Sequence, residues 1–179
     1  SIQKRLLTLP VVEGGNVIGS GIYDYGTNVE ILAIPQPGYS FNGWTGGNFL
    51  DPSSPSTIVT LTEDINASAN FNRIIYSLTV NSSNGGNVSA GGRYYYGYNA
   101  SLSALANTGY SFKNWEGSGV ANPSIPFTTI KITEDRNVTA NFAVNSYQLI
   151  ILQAQGGTAE GTGLYDWNTA VSISASARN

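Results

Sequence analysis

Apolar and polar residues alternate through most of the chain, the period-two signature of half-buried β-strands. Leu7, Leu9 and Val11 fall on one face of a first strand, as do Leu78 with Val80 and Leu149 with Ile151. A double glycine follows each time, at Gly14-Gly15, Gly85-Gly86 and Gly156-Gly157, and supplies the positive φ of a tight turn. A second strand then ends in two aromatics spaced i and i+2: Tyr23 with Tyr25, Tyr94 with Tyr96, Tyr165 with Trp167. Alternation places each pair on one face, as a single aromatic patch. After a turn at Gly26, Gly97 or Asn168, a third strand points Val29, Ile31 and Ala33 inward, matched by Ala100, Leu102 and Ala104 and by Val171, Ile173 and Ala175.

The block Gly38-Tyr39-Ser40-Phe41 predicts a short fourth strand, with Trp44 three positions beyond Phe41. A bend or bulge is needed if both rings face one core. Loops rich in Pro, Ser, Gly and Asn span Gly46–Ser56 and Gly117–Pro126, and mark irregular connections. Two strands close the pattern: Val59 with Leu61 (Ile130 with Ile132), then Ala67, Ala69 and Phe71 (Val138, Ala140, Phe142). No segment carries a 3.6-residue apolar stripe with caps, so the prediction is all-β, with little or no helix.

These elements recur at a fixed offset of 71 residues, which carries Gly14 onto Gly85 and Gly156, and Tyr23 onto Tyr94 and Tyr165. The same offset maps Trp44 onto Trp115, Thr62-Glu63-Asp64 onto Thr133-Glu134-Asp135, and Ala69-Asn70-Phe71 onto Ala140-Asn141-Phe142, with no insertion. Fixed periods of this kind define repeat architectures. The expected modules are residues 5–74, 76–145 and a partial third, 147–179. The linkers Arg73–Ile75 and Ala143–Ser146 are short and hold no Gly/Ser or Pro run, so neighbouring modules are expected to touch and form a stiff, elongated rod. A module of this size is close to the lower limit of independent stability, and Trp44 and Trp115 read as core residues that fill a small interior economically.

An opening Leu-x-Val-type strand, Gly-Gly, Tyr-x-x-Gly, Gly-Tyr-x-Phe-x-x-Trp and a closing Ala-Asn-Phe resemble the divergent B-repeat of internalin-type bacterial surface proteins. The resemblance covers both full copies and the first half of the third. It implies a small β-rich module of β-grasp-like character, in some members carrying a helix or helical turn on the sheet. It also implies tandem arrays on secreted and surface-anchored proteins, serving as stalk, spacer or adhesion segment.

Composition narrows the chemistry. The chain has no Cys, His or Met, which excludes disulfides, thiol or imidazole nucleophiles and imidazole metal sites. Eight basic against eleven acidic residues leave a net charge of −3, so no basic stripe exists for nucleic acid or an anionic membrane. No window approaches the roughly 20 apolar residues of a membrane span, and no secretory leader is visible. The expectation is a soluble, mature or internal piece of an extracellular protein, with no cofactor.

The adjacent carboxylates Glu63-Asp64 and Glu134-Asp135 sit between two strands in a Thr-Glu-Asp-x-Asn turn. They read as turn chemistry through side-chain-to-backbone hydrogen bonds, not as a glycosidase pair. No Asp-x-Asp-x-Asp-Gly calcium loop is present, and no catalytic site is expected. Tyr94, Tyr95, Tyr96 and Tyr98 put rings on both faces of one strand; Tyr95 and Tyr98 replace Asp24 and Thr27 of the first copy, and would stack on a sugar, pack on a neighbouring module, or stand as scattered surface tyrosines. Sequons for N-glycosylation occur at Asn66, Asn81, Asn87, Asn99 and Asn137. The third copy stops before its Gly-Tyr-Ser-Phe block, leaving Ile150, Leu152, Trp167 and Ile173 thinly covered beside an open sheet edge. Either a boundary within a longer chain explains this, or strand addition from another chain completes the module and builds fibres.

Overall fold

The computed structural model describes residues 3–178 and, among them, contains strands, turns and loops but no helix. The final position of the partial third copy, Asn179, lies outside the described residues. Two compact units are present: one runs to Tyr76 and takes in Tyr94–Tyr98, the other holds Ser77–Arg93 and the residues from Asn99 onward.

The first unit contains β1 (Lys4–Thr8), β2 (Gly15–Ile18), β3 (Gly21–Asp24), β4 (Asn28–Pro35), β5 (Tyr39–Thr45), β6 (Ser56–Thr60), β7 (Ile65–Asn66) and β8 (Ser68–Arg73). β1 pairs antiparallel with β3 and parallel with β7, while β5 pairs with β8. β4 lies between β2 and β6. Inward side chains from both sets form one core of Leu7, Leu9, Val29, Ile31, Ala33, Trp44, Val59, Leu61, Ile65, Ala67 and Ala69, with Tyr23, Phe41, Phe49 and Phe71 packed at its margin.

The predicted second strand is in fact two. The chain breaks at Gly19, whose φ is +126° and where a Cβ would sit 2.8 Å from the Ile31 side chain. β2 then joins β4 and β3 joins β1, so one stretch of sequence serves both layers. Val11 also departs from expectation: β1 ends at Thr8 and Val11 is 97 % exposed, while Leu7 and Leu9 are buried. The expected bulge is present, with register shifts between Phe41 and Trp44 and between Phe112 and Asn114. That irregularity lets Phe41 and Trp44 meet at 5.8 Å, and Phe112 and Trp115 at 6.0 Å.

Each glycine of the pair has its own task. Gly14 and Gly85 take φ of +97° and +106°. Gly15 and Gly86 make room for a ring: a Cβ there would lie 2.2 Å from Cζ of Phe71 and of Phe142.

The second copy repeats this plan with β9 (Ile75–Ser82), β10 (Gly86–Val88), β11 (Gly92–Tyr95), β12 (Asn99–Ala106), β13 (Tyr110–Glu116), β14 (Phe127–Lys131) and β15 (Arg136–Val144). β15, continuous where the first copy has β7 and β8, pairs parallel with β9 and antiparallel with β13. β12 lies between β10 and β14. Leu78, Ala100, Leu102, Ala104, Trp115, Ile130, Ile132, Val138 and Ala140 are buried, as alternation required.

The loops over the tryptophans are also duplicated. Pro52 and Pro123 carbonyls each accept the Trp44 or Trp115 backbone N–H at 2.8 Å. Asp51 and Asn122 close the loop by accepting the Ser53 and Ser124 N–H groups. The Thr57 and Thr128 hydroxyls accept the N–H groups of Asp51 and Asn122 in turn.

The third copy supplies β16 (Ser146–Leu149), β17 (Gly157–Glu160), β18 (Gly163–Asp166) and β19 (Ser174–Ala177), paired as β16 with β18 and β17 with β19. Its described residues hold no counterpart of β6 or β14. Ile173, equivalent to the fully buried Ile31 and Leu102, is therefore 67 % exposed, and Ile150 and Leu152 are exposed too.

Candidate functional site

The aromatic concentration Tyr94–Tyr98 is the most distinctive surface of the first unit. β11 delivers Tyr94 and Tyr95, then the chain turns at Gly97 (φ +81°), with the Tyr98 N–H donating to the Tyr95 carbonyl at 3.1 Å. The turn, expected at Gly97, begins early enough to separate the expected Tyr94/Tyr96 patch. Tyr94 stacks on Tyr98, with centroids 5.1 Å apart and planes 15° from parallel. Tyr96 instead lies against Gly38, where a Cβ would fall 2.7 Å from its ring. Tyr23 and Tyr25 part in the same way, Tyr23 packing on the core and Tyr25 standing exposed.

Tyr95 and Tyr98 do not share a partner. Tyr95 is covered on one side by the Arg73 guanidinium, 5.5 Å from its centroid, and that cation also lies 5.9 Å from the Tyr39 ring. Both tyrosines are about half exposed, at 51 % and 54 %. Arg73 is fixed by Glu13, at 2.8 Å, and Glu13 also accepts the Tyr39 hydroxyl at 2.7 Å. The Arg73 hydrogen bond, followed by that of Tyr39, holds the Glu13 carboxyl below its usual range and pushes the guanidinium further up. Charge-assisted bonds of this kind orient Arg73 for cation–π contact with both rings.

What sequence reasoning missed is the socket. Tyr96 has an equivalent in Trp167, and Gly38 an equivalent in Gly109, where a Cβ would fall 2.0 Å from the Trp167 ring. The Gly38 carbonyl accepts the Ile74 N–H at 2.8 Å, and the Ile74 carbonyl accepts that of Tyr96 at 3.0 Å. The same ladder links Gly109, Asn145 and Trp167 at 2.8 and 2.7 Å. Each glycine precedes a tyrosine, and Tyr110 lies 6.5 Å from Trp167. No specific signal for it stood in the sequence, because a 71-residue repeat gives every pair of equivalent residues a constant spacing.

The paired carboxylates have a structural task beyond their own turn. Asp64 accepts the Leu6 N–H at 2.9 Å and Asp135 accepts the Ser77 N–H at 2.7 Å, tying the closing turn to the opening strand of the same copy. Glu134 instead pairs with Arg136 at 2.6 Å. No cluster of three acidic residues suited to a metal ion occurs among the described residues. The sequon residues Asn66, Asn81, Asn87, Asn99 and Asn137 all lie exposed, and the Asn81 amide donates to the Asn137 side-chain oxygen at 2.8 Å.

Residues 6–75 and 76–146 each match the divergent InlB B-repeat domain. The chain is also 23 % identical over 146 residues to a protein of Evansella cellulosilytica named "Putative membrane protein". That match covers 81 % of this chain and 22 % of the relative, so the chain spans about a fifth of that protein's length. No solved structure matches the chain, and none of its described residues form a helix long and apolar enough to cross a membrane.

Proposed function

Because the chain belongs to the divergent InlB B-repeat family through two consecutive matches, we propose that it is a non-enzymatic spacer or stalk segment of a microbial surface or secreted protein. The observation that carries this reading is the duplicated Gly-to-aromatic joint, with the same two backbone hydrogen bonds each time. A spacer needs its linker segments tied down, and within each unit a ring seated on a glycine without a Cβ ties the linker residue, Ile74 or Asn145, between two backbone hydrogen bonds. Adhesion is the extension of the same role to partners at the cell surface. In this reading the uncovered β16 and β19 edges accept added strands. Light scattering over a concentration series distinguishes strands from a second chain, which raise the mass, from strands supplied by the same polypeptide, which leave it unchanged.

The test of the main reading is location. Antibodies against residues 1–179 should label intact cells of the source organism, or the medium around them. Signal confined to the cytosolic fraction would reject the proposal.

A second reading, glycan binding by a module attached to a secreted enzyme, is favoured by the half-exposed rings of Tyr95 and Tyr98, since exposed aromatics stack on apolar sugar faces. Binding on a glycan array that disappears in Tyr95→Ala/Tyr98→Ala would support it. An array without signal would remove it.

A further inference from the structure

We infer that Tyr25 is a docking knob for the Gly-Tyr end of a further B-repeat, so that the first copy is built to be joined at both ends. The two joints already described share three parts: a glycine of positive φ, an aromatic ring seated on it, and a linker residue bonded to both through its backbone. Gly38, Ile74 and Tyr96 make one, and Gly109, Asn145 and Trp167 the other. The 71-residue offset carries Tyr96 onto Tyr25, Gly97 onto Gly26 and Ile74 onto Gln3.

The knob half of a third joint is already formed at these positions. The Tyr25 N–H donates to the Gln3 carbonyl at 2.7 Å, as Tyr96 does to Ile74 and Trp167 to Asn145. Gly26 takes φ of +81°, the value of Gly97. Arg5 lies over the Tyr25 ring at 5.7 Å and steadies it, yet the ring is 53 % exposed, against 39 % and 40 % for the seated Tyr96 and Trp167. The missing half is a glycine carbonyl to accept the Gln3 N–H and a face without a Cβ to receive the ring. Within this chain Gly38 and Gly109 are both occupied. The occupant is therefore the socket of another repeat of this family, not a second copy of this chain. This inference rests on family membership and not on the spacer reading: a spacer with loosely joined copies leaves Tyr25 free.

The experiment fuses an additional copy of residues 5–73 directly ahead of Gln3 in the full chain, which places the added glycine 58 residues before Tyr25. Amide hydrogen exchange is read at Gln3, with Ile74 and Asn145 as internal references. In the extended chain the Gln3 amide should slow by about tenfold or more relative to the 179-residue chain, approaching the references, and Tyr25 nitration should fall. Tyr25→Ser in the extended chain should return Gln3 to fast exchange, and in the 179-residue chain it should leave the fold intact because the ring is exposed. Equal Gln3 exchange in the two chains, with Ile74 and Asn145 still protected, would overturn the inference. It would leave the surface location of the protein unaffected.

Discussion

Gly86→Ala isolates the packing that closes each repeat. Gly86 does not need positive φ, so on backbone grounds alone alanine would stabilise the protein by about 0.4–1 kcal/mol through the unfolded chain. The structure reverses the sign. The new Cβ would lie 2.2, 2.4 and 2.5 Å from three atoms of the Phe142 ring, more than 1 Å inside ordinary contact. The ring has little room to retreat, because it meets Phe112 edge-on at 6.0 Å and 77°. Overpacking of a filled core costs about 1–3 kcal/mol; with the middle of both ranges, net destabilisation of about 1.3 kcal/mol follows after the unfolded-state gain. Urea unfolding, with hydrogen exchange resolved to residues 76–145, gives the value. Phe142→Leu added to Gly86→Ala should recover part of the loss, a coupling of about 1 kcal/mol between touching residues. Gly15→Ala with Phe71 should behave alike in the first copy. A neutral or stabilising Gly86→Ala would refute the reasoning, since it would mean that the ring does not occupy that space.

Trp115→Ala empties a site that is 2 % exposed and should cost about 3–5 kcal/mol, a large share of a small module's stability. Exchange protection should be lost across the second copy, while the first retains its own. Asp135→Ala removes the acceptor of the Ser77 N–H and should cost about 1 kcal/mol, read as faster Ser77 exchange, with Asp135→Asn restoring most of it. Glu13 should titrate below the ordinary carboxylate range because Arg73 and Tyr39 hydrogen-bond its charged form. Its folded pKa is depressed, so its contribution is present above the unfolded pKa and disappears as pH falls through the folded one. Carbon-detected NMR of the Glu13 carboxyl checks this, and Arg73→Gln should move the titration back up.

The sequence disclosed what depends on local alternation and on period. Val29, Ile31 and Ala33, their counterparts in the second copy, and both buried tryptophans follow from spacing, and the Phe41-to-Trp44 gap announced its bulge. Features that depend on which strand lies alongside were not legible. Gly19-Ser20-Gly21 interrupts the apolar pattern between Ile18 and Ile22 and signals a break, but nothing in these residues says which strand each half will pair with. Val11 kept its period while Pro10 and the end of β1 took it out of the core. Tyr94 and Tyr96 keep i, i+2 spacing, but the strand ends at Tyr95 and the turn sends the second ring to Gly38. Asp64 was read as serving its own turn, whereas its partner is Leu6, 58 residues away. Asn168 adopts φ +63° where the other copies use glycine, consistent with the tolerance of Asn for the left-handed region.

The central claim is that repeats joined by an aromatic ring on a glycine act as a spacer, and small-angle scattering of chains with one, two and three extra 71-residue copies tests it most directly. The maximum dimension should rise by the same increment with every copy. Growth that flattens towards the roughly 0.38-power scaling of a compact globule would contradict it.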